Sequence, residues 1–207
     1  MKNLLLSLGL LCGLVTKAQS VDTVIQTAAY TSYFSFELHE PLYVVYKLYK
    51  GGGDCDRAGN VYTTGGLKAS ATEADYRGGE YDEGHLANSK DFAYDCALQK
   101  STFHFYNCVP QTKKLNRGVW EVWETTIRKE SQTDSLMIYC GSIFTSRKLR
   151  NIAIPDQCWK IVYSLTAHKV THCMIFNNDS SNTFKDITVA DLLKLIRYKI
   201  LFQNNFL

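Results

Sequence analysis

Short apolar and aromatic runs, separated by polar and glycine-rich stretches, recur along the chain from residue 42 onward. The runs LYVVYKLY at 42–49 and TFHFYNCV at 102–109 are rich in aromatic and β-branched residues and predict two strands. Pro110 is expected to end the second strand, because proline cannot donate a ladder hydrogen bond, and a connection then follows. Similar runs predict further strands at 136–144, 158–165 and 171–176.

Two other segments show the three- and four-residue spacing of apolar positions that is typical of an amphipathic helix. In the first, residues 117–130, these positions are Val119, Trp120, Trp123 and Ile127. The second, residues 186–200, has Thr188 as a candidate N-cap, and Asp191 follows three residues later. Between the first two predicted strands, residues 50–80 contain eight glycines, so we expect a long irregular segment there.

Strands predominate in this mixed pattern, and helices lie between and after them. The chain contains no internal repeat, no low-complexity segment and no linker between domains. We therefore predict a single domain of the α+β class at residues 19–207. Apolar residues make up 45% of the chain and charged residues 21%, which excludes an intrinsically disordered protein.

The N-terminal stretch MKNLLLSLGLLCGLVTKAQS has the pattern of a secretory signal sequence. Lys2 precedes an apolar run from Leu4 to Val15, which is shorter than the ~20 residues that a membrane-spanning helix needs. The small residue Ala18 is the predicted cleavage position. Cys12 lacks the small preceding residue of a lipidation signal, because Leu11 is bulky. We expect a protein that is secreted or periplasmic and has no stable membrane association.

Removal of residues 1–18 would leave 21 of the 23 basic residues against 20 acidic ones, so the formal charge falls from +3 to +1. This charge argues neither for nor against a polyanionic partner.

Six cysteines would remain after this removal, namely Cys55, Cys96, Cys108, Cys140, Cys158 and Cys173. An even number in an exported chain predicts disulfides, and the absence of a CxxC pair argues against structural zinc. We expect Cys140 to pair with Cys158, since both lie on predicted neighbouring strands.

Two groups of polar residues are candidates for chemistry. His85 lies in YDEGHLANSKDF, residues 81–92, a composition that suits either a polar surface loop or a catalytic site. Farther along, every fourth position carries one of Asn116, Trp120, Glu124 and Arg128, which places these residues along one side of the predicted helix. Taken alone, this face also suits a half-buried helix in which Glu124 and Arg128 form an ion pair.

Together, three ordered motifs resemble those of the DNA/RNA non-specific endonucleases of the ββα-metal superfamily. Residues 82–85 correspond to the family's Asp-Arg-Gly-His box, residues 107–111 to its Asn-Met-x-Pro-Gln segment, and residues 116–124 to its Asn-x-x-x-Trp-x-x-x-Glu run. Looser similarity covers most of residues 40–200. The resemblance implies antiparallel sheets with a ββα-metal motif and flanking helices. It also implies metal-dependent hydrolysis of phosphodiester bonds in DNA or RNA with little sequence specificity.

The resemblance implies roles for four side chains. His85 would be the general base, a task that suits an imidazole that is neutral near pH 7. Asn116 would be the direct ligand of Mg²⁺, or of Mn²⁺ in its place, with water in most other positions. Glu124 would be an outer-shell carboxylate, because eight helical residues advance ~12 Å and separate it from Asn116. Arg128 would neutralise phosphate charge.

The remaining motif residues have supporting or binding roles. A basic rim for the nucleic-acid backbone is expected from Lys113, Lys114 and Arg117, and such a rim contacts phosphate rather than bases. Supporting residues are Asp82, Glu83 and Asn107. Glu83 stands where the family has an arginine that faces phosphate. We expect its charge to be compensated, and the candidate cations are Arg77, Lys90 and Arg57.

Three classes of function remain in competition. The retained His85, Asn116 and Glu124 favour an active endonuclease, whereas Glu83 favours a nucleic-acid-binding or interaction module on a catalytically impaired nuclease scaffold. A disulfide-stapled structural protein would leave the ordered motifs unexplained. The sequence leaves open the preference for DNA or RNA, the biological role and the oligomeric state.

Overall fold

The computed structural model describes residues 18–202. In this range the strands are β1 (Thr23–Gln26), β2 (Thr31–Ser35), β3 (Glu40–Leu48), β4 (Tyr81–His85), β5 (Cys108–Thr112), β6 (Leu136–Leu149), β7 (Ile152–Ser164), β8 (Lys169–Asn177) and β9 (Phe184–Asp186). The α-helices are α1 (Glu73–Tyr76), α2 (Cys96–Ser101), α3 (Lys113–Asn116), α4 (Val119–Glu130) and α5 (Val189–Leu195), and 3-10 helices span Ser89–Phe92 and Phe105–Asn107. One antiparallel sheet has the order β1-β2-β3-β6-β7-β8-β9, and β4 pairs with β5 in a second.

Two consecutive residues of β7 show how both faces of the large sheet are covered, because side chains alternate along a strand. Trp159 faces the C-terminal segment, where its Nε1 donates to the Tyr198 hydroxyl at 3.0 Å. Lys160 faces α4, and its Nζ lies 3.8 Å from the centroid of the Trp120 ring. Trp120 also packs edge-on against Phe176 of β8, with 5.0 Å between the ring centroids. The large sheet is therefore a middle layer.

A sharp turn between α3 and α4 determines where the predicted helix begins. The helix predicted at 117–130 starts at Val119, whose backbone N–H donates to Asn182 Oδ1 at 2.8 Å. A Cβ at Gly118 would lie 2.3 Å from the Lys114 carbonyl oxygen, so only glycine fits this turn. Asn116 consequently ends α3 and does not extend the face of α4, contrary to the prediction from its spacing.

The smaller sheet and the helices after it form the expected two-strand and helix arrangement. In the pairing of β4 with β5, His85 lies opposite Cys108 and Asp82 lies opposite Gln111. The chain then passes through α3 into α4, which packs on the large sheet. The predicted α+β class with antiparallel sheets is confirmed.

The strand predicted at 102–109 is wrong in its first part. Phe105 and Tyr106 are both buried instead of alternating, and residues 105–107 form a 3-10 helix before β5. Pro110 lies within β5 instead of ending it. Its carbonyl oxygen accepts from Asn178 Nδ2 at 2.8 Å on the side away from β4, so the missing N–H removes no ladder hydrogen bond.

Several strand and helix predictions are confirmed within a few residues. The strands predicted at 42–49, 136–144, 158–165 and 171–176 correspond to β3, β6, β7 and β8. In α5, Thr188 is the N-cap and its Oγ1 accepts from the backbone N–H of Asp191 at 3.0 Å. The pattern did not reveal β1, β2, β4 and β9. Between β3 and β4, residues 50–80 are largely irregular, as expected.

The predicted Cys140–Cys158 disulfide is wrong. Cys140 lies opposite Lys160 in the β6–β7 register, whereas Cys158 lies opposite Ser142. The two cysteines are therefore diagonal neighbours, too far apart for the ~4 Å between Cβ atoms that a disulfide needs, and both are free thiols. The disulfide in the described part of the chain joins Cys55 to Cys96 and so ties the glycine-rich segment to α2.

The sequence also led to expectations about membrane association and about the N-terminal segment. No helix within residues 18–202 is long and apolar enough to cross a bilayer. The predicted signal sequence falls on residues 1–17, which lie outside the described residues.

Replacement of both Cys55 and Cys96 by serine should lower the free energy of unfolding by about 4 kcal/mol, because the disulfide closes a loop with a sequence separation of 41 residues. Urea denaturation measures this loss, and hydrogen exchange should quicken in residues 52–66. Cys173→Ser, which alters a free thiol, is the control. Unchanged stability of the double variant would contradict the constraint assigned to this disulfide.

Candidate active site

His85 is the last residue of β4 and has only 8% of its surface exposed. The Phe103 ring packs edge-on against it at 4.8 Å between centroids. The Tyr62 hydroxyl donates to the Glu83 carbonyl oxygen at 2.9 Å and lies closer to Nδ1 of His85 (2.5 Å) than to Nε2 (3.1 Å). Since the hydroxyl proton goes to the carbonyl, the Tyr62 oxygen can only accept from a protonated ring nitrogen of His85, and the Thr102 hydroxyl oxygen lies 3.4 Å from Nε2. Tyr62 thus orients the imidazole.

Asp82, on the same strand, orients the candidate metal ligand. Its Oδ2 accepts from Asn116 Nδ2 at 3.0 Å and from Arg117 Nε at 2.8 Å, and its Oδ1 accepts from Arg117 Nη2 at 2.7 Å. An ionised carboxylate only accepts hydrogen bonds, so the amide nitrogen of Asn116 must face Asp82. The amide oxygen of Asn116 therefore points away from Asp82 and is available to a cation.

Glu124 and Arg128 lie one turn apart on α4, but they do not form the ion pair that their spacing suggests. Arg128 Nε instead donates to Asp91 Oδ1 at 2.8 Å, and its Nη2 donates to Asn88 Oδ1 at 3.1 Å. Asp91 is buried and also accepts from the Tyr46 hydroxyl at 2.9 Å. The Asn88 side chain also lowers the pKa of the Glu124 carboxyl, in opposition to its burial. The 3-10 helix after β4 thus anchors the functional face of α4.

These side chains line one cavity of about 320 Å³. Of the predicted site residues, the cavity brings together Asp82, Glu83, His85, Asn116, Arg117, Glu124 and Arg128. Arg57 and Lys90, which the sequence suggested only as cations near Glu83, also line it. The sequence did not identify Tyr62, Asn88, Glu121 and Thr125. Asn88 follows His85 by three residues in the same motif, whereas Tyr62 lies in the irregular segment and gave no signal.

The other predicted residues lie outside the cavity lining. Asn107 Oδ1 accepts from the Ala87 backbone N–H, and its Nδ2 donates to the carbonyls of Ala87 and Thr102, each at 2.9 Å. Asn107 therefore supports the chain immediately after His85. Lys113 and Lys114 are exposed on α3.

The electrostatics of the cavity favour a neutral imidazole. Burial and the positive charge of Arg57 lower the pKa of His85 to about 3. Burial also raises the pKa of Glu124, although the positive charge of Lys160 opposes this effect. Partial burial raises the pKa of Asp82, but the hydrogen bonds from Arg117 and Asn116 outweigh it and lower the pKa overall.

Glu83 lacks the compensating cation that we expected. Within residues 18–202 it forms no salt bridge with Arg77, Lys90 or Arg57, and Lys90 pairs with Glu121 at 3.3 Å instead. Partial burial raises the pKa of Glu83, and the nearby acids, Asp82 among them, raise it further. The carboxylate therefore faces the cavity without a salt-bridge partner.

The donor atoms of the cavity fit a hydrated hard cation. In the described part of the chain, no three His, Cys, Asp or Glu side chains are grouped so that they could hold a metal ion. The cavity instead offers the amide oxygen of Asn116 and the carboxylates of Glu83, Glu121 and Glu124. Mg²⁺ and Mn²⁺ accept oxygen donors, and Mg²⁺ retains several waters, whereas zinc prefers nitrogen and sulfur.

Known proteins resemble this chain in both sequence and structure. The family model for DNA/RNA non-specific endonuclease matches residues 11–205. Mitochondrial endonuclease G of Bos taurus is 35% identical over 78 residues, which cover 37% of this chain and 26% of the relative. A nuclease of Nostoc sp. is 32% identical over 119 residues, which cover 55% of this chain and 43% of the relative. The chain thus matches between about a quarter and less than half of these curated relatives.

A solved structure of EndoG in complex with EndoGI matches this fold with a TM-score of 0.72. The match covers 83% of this chain and 82% of that chain at 19% sequence identity, so it shows a shared fold alone. The molecule has the EndoG-like architecture of mixed helices and antiparallel sheets. Because the family model covers most of its length, the chain belongs to the DNA/RNA non-specific endonuclease family.

The pKa of His85 predicts a pH-dependent stability. In the unfolded chain the pKa is near 6.5, and in the folded protein it is about 3, so the stabilising contribution is complete above pH 6.5 and is lost as the pH falls towards 3. At about pH 5 the loss attributable to His85 should be about 2 kcal/mol relative to about pH 8. Urea unfolding should show that, from about pH 8 to about pH 5, the free energy of unfolding of His85→Gln falls by about 2 kcal/mol less than that of wild type.

The exposed His168 provides the matched control, and His168→Gln should keep the wild-type dependence on pH. Identical acid-dependent losses for wild type and His85→Gln would contradict the neutral, buried state of His85.

Proposed function

We propose that this protein is an exported, metal-dependent endonuclease that hydrolyses phosphodiester bonds of DNA, RNA or both with little sequence specificity. The convergence of His85, Asn116 and Glu124 on one cavity carries the proposal. Family membership supports nuclease chemistry. The activity of the whole protein is part of the proposal, because its curated relatives are matched over only part of their length.

His85 acts as the general base in the proposed reaction. The ring is neutral at physiological pH, and the negative charge of a bound phosphate would raise its pKa from about 3 towards that of an effective base for the water that attacks phosphorus. The Tyr62 hydroxyl accepts from the protonated ring nitrogen, so the other nitrogen of the neutral ring is the basic one. Phe103 on one side restricts rotation of the imidazole, which keeps the base in one orientation.

Asn116 would hold a divalent cation, Mg²⁺ or Mn²⁺, through its amide oxygen. Such a cation supplies positive charge to the phosphate and to the departing oxygen. Asp82 accepts from the amide nitrogen of Asn116, so the amide oxygen faces away from Asp82. Glu124 lines the same cavity and would accept hydrogen bonds from the water of the cation as an outer-shell group.

Cationic side chains bind the nucleic-acid backbone in this proposal. Arg128 uses Nε and Nη2 for Asp91 and Asn88, which leaves Nη1 for a phosphate oxygen. Arg57 and Lys90 line the cavity, and the basic group on and after α3 comprises Lys113, Lys114 and Arg117. Contacts of this kind bind phosphate and do not discriminate between bases.

A catalytically impaired nucleic-acid-binding module is the second candidate, because Glu83 faces the cavity and has no salt-bridge partner among residues 18–202. A plasmid-nicking assay with Mg²⁺, and with a chelator, separates the two functions. The endonuclease requires nicking that the chelator abolishes. Binding of the plasmid DNA without nicking at any Mg²⁺ concentration would support the binding module instead.

Export is also a proposal, and it rests on the N-terminal sequence and on the Cys55–Cys96 disulfide, which suits an oxidising compartment. Intact-mass measurement of protein recovered from outside the cytoplasm should show a chain that begins at Gln19. A mature chain that retains residues 1–18 would contradict the predicted cleavage.

His85→Ala should fold, retain DNA affinity and lose at least ~100-fold in single-turnover cleavage, because the general base is absent. Circular dichroism and fluorescence anisotropy with labelled DNA test folding and binding separately from cleavage. His168→Ala is the control on an exposed histidine. Cleavage by His85→Ala close to the wild-type rate would disprove the assignment.

Asn116→Ala should raise the Mg²⁺ concentration for half-maximal cleavage by ~10-fold or more, because the direct oxygen ligand is lost. Asp82→Asn should give a smaller increase, since it only loosens the orientation of the amide. A Mg²⁺ titration of both variants and wild type measures the effect. An unchanged titration for Asn116→Ala would place the ion elsewhere.

Glu83→Gln should raise kcat/KM at low ionic strength, because an unpaired carboxylate in the cavity repels phosphate, and salt should weaken the gain by screening. This reverses our expectation from sequence that a cation compensates for the charge of Glu83, since Glu83 forms no salt bridge in the described residues. Glu83→Arg should show a larger gain. Lower activity of both variants at every salt concentration would instead support a compensated charge on Glu83.

A further inference from the structure

A groove of about 770 Å³ runs along α4, outside the cavity described above. One wall is a stripe of α4 that carries Val119, Val122 and Lys129, and the opposite wall carries Asn182 and Phe184, at the start of β9. We call this space the α4–β9 groove. Its volume lies within the range of pockets that hold small molecules.

The α4–β9 groove adjoins the candidate active site. Arg117, Glu121 and Thr125 line both the groove and the cavity that contains His85 and Asn116. A polymer that occupies the cavity can therefore continue into the groove without leaving the surface of α4.

Phe184 is an exposed aromatic side chain that its neighbours hold in place. Its ring packs at 28° to that of Phe176, with 5.8 Å between the centroids, and edge-on against Trp123 at 5.4 Å. The remaining 40% of its surface is exposed. An aromatic ring that is supported from the protein side and open on the other is a surface on which a nucleobase can stack.

The wall that carries the aromatic ring is anchored to the turn that carries Asn116. Asn182 Oδ1 accepts from the backbone N–H of Val119 at 2.8 Å, and Thr112 Oγ1 donates to the Asp179 carbonyl oxygen at 3.0 Å. These contacts join the loop before β9 to the start of α4 and to the start of α3. The groove thus keeps a fixed place beside the candidate metal ligand.

Cations lie at both ends of the groove. Arg117 donates to Asp82 through Nε and Nη2, which leaves Nη1, and Lys129 forms none of the salt bridges found in residues 18–202. Glu121 is the acid in the lining, and Lys90 pairs with it at 3.3 Å. Glu121 and Lys129 are eight helical residues apart, ~12 Å, which is the rise of about three stacked nucleotides.

We propose that the α4–β9 groove binds the nucleic-acid strand next to the scissile phosphate, with one base stacked on Phe184 and backbone phosphates at Arg117 and Lys129. The apolar wall accounts for the base, and the two cations account for the backbone. Stacking on Phe184 requires an unpaired base, so the strand is single-stranded there. Every base has a π-face, which keeps sequence specificity low. The position next to the cleaved bond rests on the proposed function, whereas binding of the strand does not.

A fluorescent purine analogue at successive positions of a single-stranded oligonucleotide tests the stacking. His85→Ala with Mg²⁺ is the background, so that the bound DNA stays intact. Quenching should occur at one position, and Phe184→Ala should remove it and weaken binding by ~10-fold. Phe36→Ala removes a phenylalanine of similar exposure, 44%, from the turn between β2 and β3 and is the control. Unchanged quenching in Phe184→Ala would overturn the proposal.

Val122→Glu tests the groove without removing an aromatic ring. Val122 is 62% exposed, so the helix tolerates the change, which circular dichroism verifies. The added carboxylate should repel the strand and weaken binding most at low salt. Val122→Gln is the uncharged control and should bind more tightly than Val122→Glu. Equal affinities of the two variants at low salt would contradict a strand in the groove.

The salt dependence of binding tests the phosphate contact at Lys129. In Lys129→Gln, the slope of log Kd against the logarithm of the salt concentration should fall by about 0.7, the value for one phosphate contact on a single strand. Lys185→Gln is the control, because Lys185 follows Phe184 on β9 and its side chain lies on the other face. An unchanged slope for Lys129→Gln would overturn the path of the backbone along α4.

Two further outcomes separate this inference from its alternatives. If a second copy of the chain occupies the groove, sedimentation should show a dimer that Phe184→Ala converts to a monomer, and the proposal is overturned. If wild type does not nick plasmid at any Mg²⁺ concentration, the endonuclease proposal fails, and quenching and salt slopes still decide whether the groove binds a strand. If wild type nicks plasmid but no position of the oligonucleotide is quenched, the inference about the groove fails alone.

Discussion

The packing of Trp120 between the large sheet and the cavity is the contact on which the arrangement of the candidate site depends. Trp120 rests against Phe176 and over Lys160, which fixes α4 relative to the sheet. One helical turn farther along, the buried Glu124 lines the cavity. In the other direction, the Gly118 turn brings Asn116 to the same cavity from a different helix. A shift of α4 on the sheet would therefore separate Glu124 from Asn116.

Each candidate functional group is oriented by a neighbour that has no assigned chemical role. The Tyr62 hydroxyl orients His85, Asp82 turns the amide of Asn116, and Asn88 and Asp91 hold Arg128. These neighbours come from elements distant in sequence, so the cavity forms only when the glycine-rich segment, β4 and α4 have all assembled. The disulfide of the glycine-rich segment contributes to the site in this way, because the segment carries Tyr62 and Arg57.

The sequence predicted the parts of the molecule in which local pattern and tertiary environment agree. The long apolar runs of β3, β6, β7 and β8 and the capped α5 belong to this group, as do the motif residues that line the cavity. Predictions failed where a long-range contact determines the local conformation or the partner of a side chain. Pro110 lies within a strand, where Asn178 Nδ2 donates to its carbonyl oxygen, and Arg128 pairs with Asp91 instead of Glu124. The orientation of His85 by Tyr62 could not be read from spacing either, because the two residues meet only in the folded chain.

Under the proposed function, one amide oxygen, held by Asp82, presents a hydrated divalent cation to His85 and Glu124. Anomalous diffraction from crystals of the protein soaked in Mn²⁺ tests this claim most directly, because it locates the ion without reference to activity. The account predicts one anomalous peak in the cavity, within coordination distance of Asn116 Oδ1, with the Glu124 carboxylate outside that distance. A peak coordinated directly by Glu124, or a cavity without a peak at saturating Mn²⁺, would contradict it.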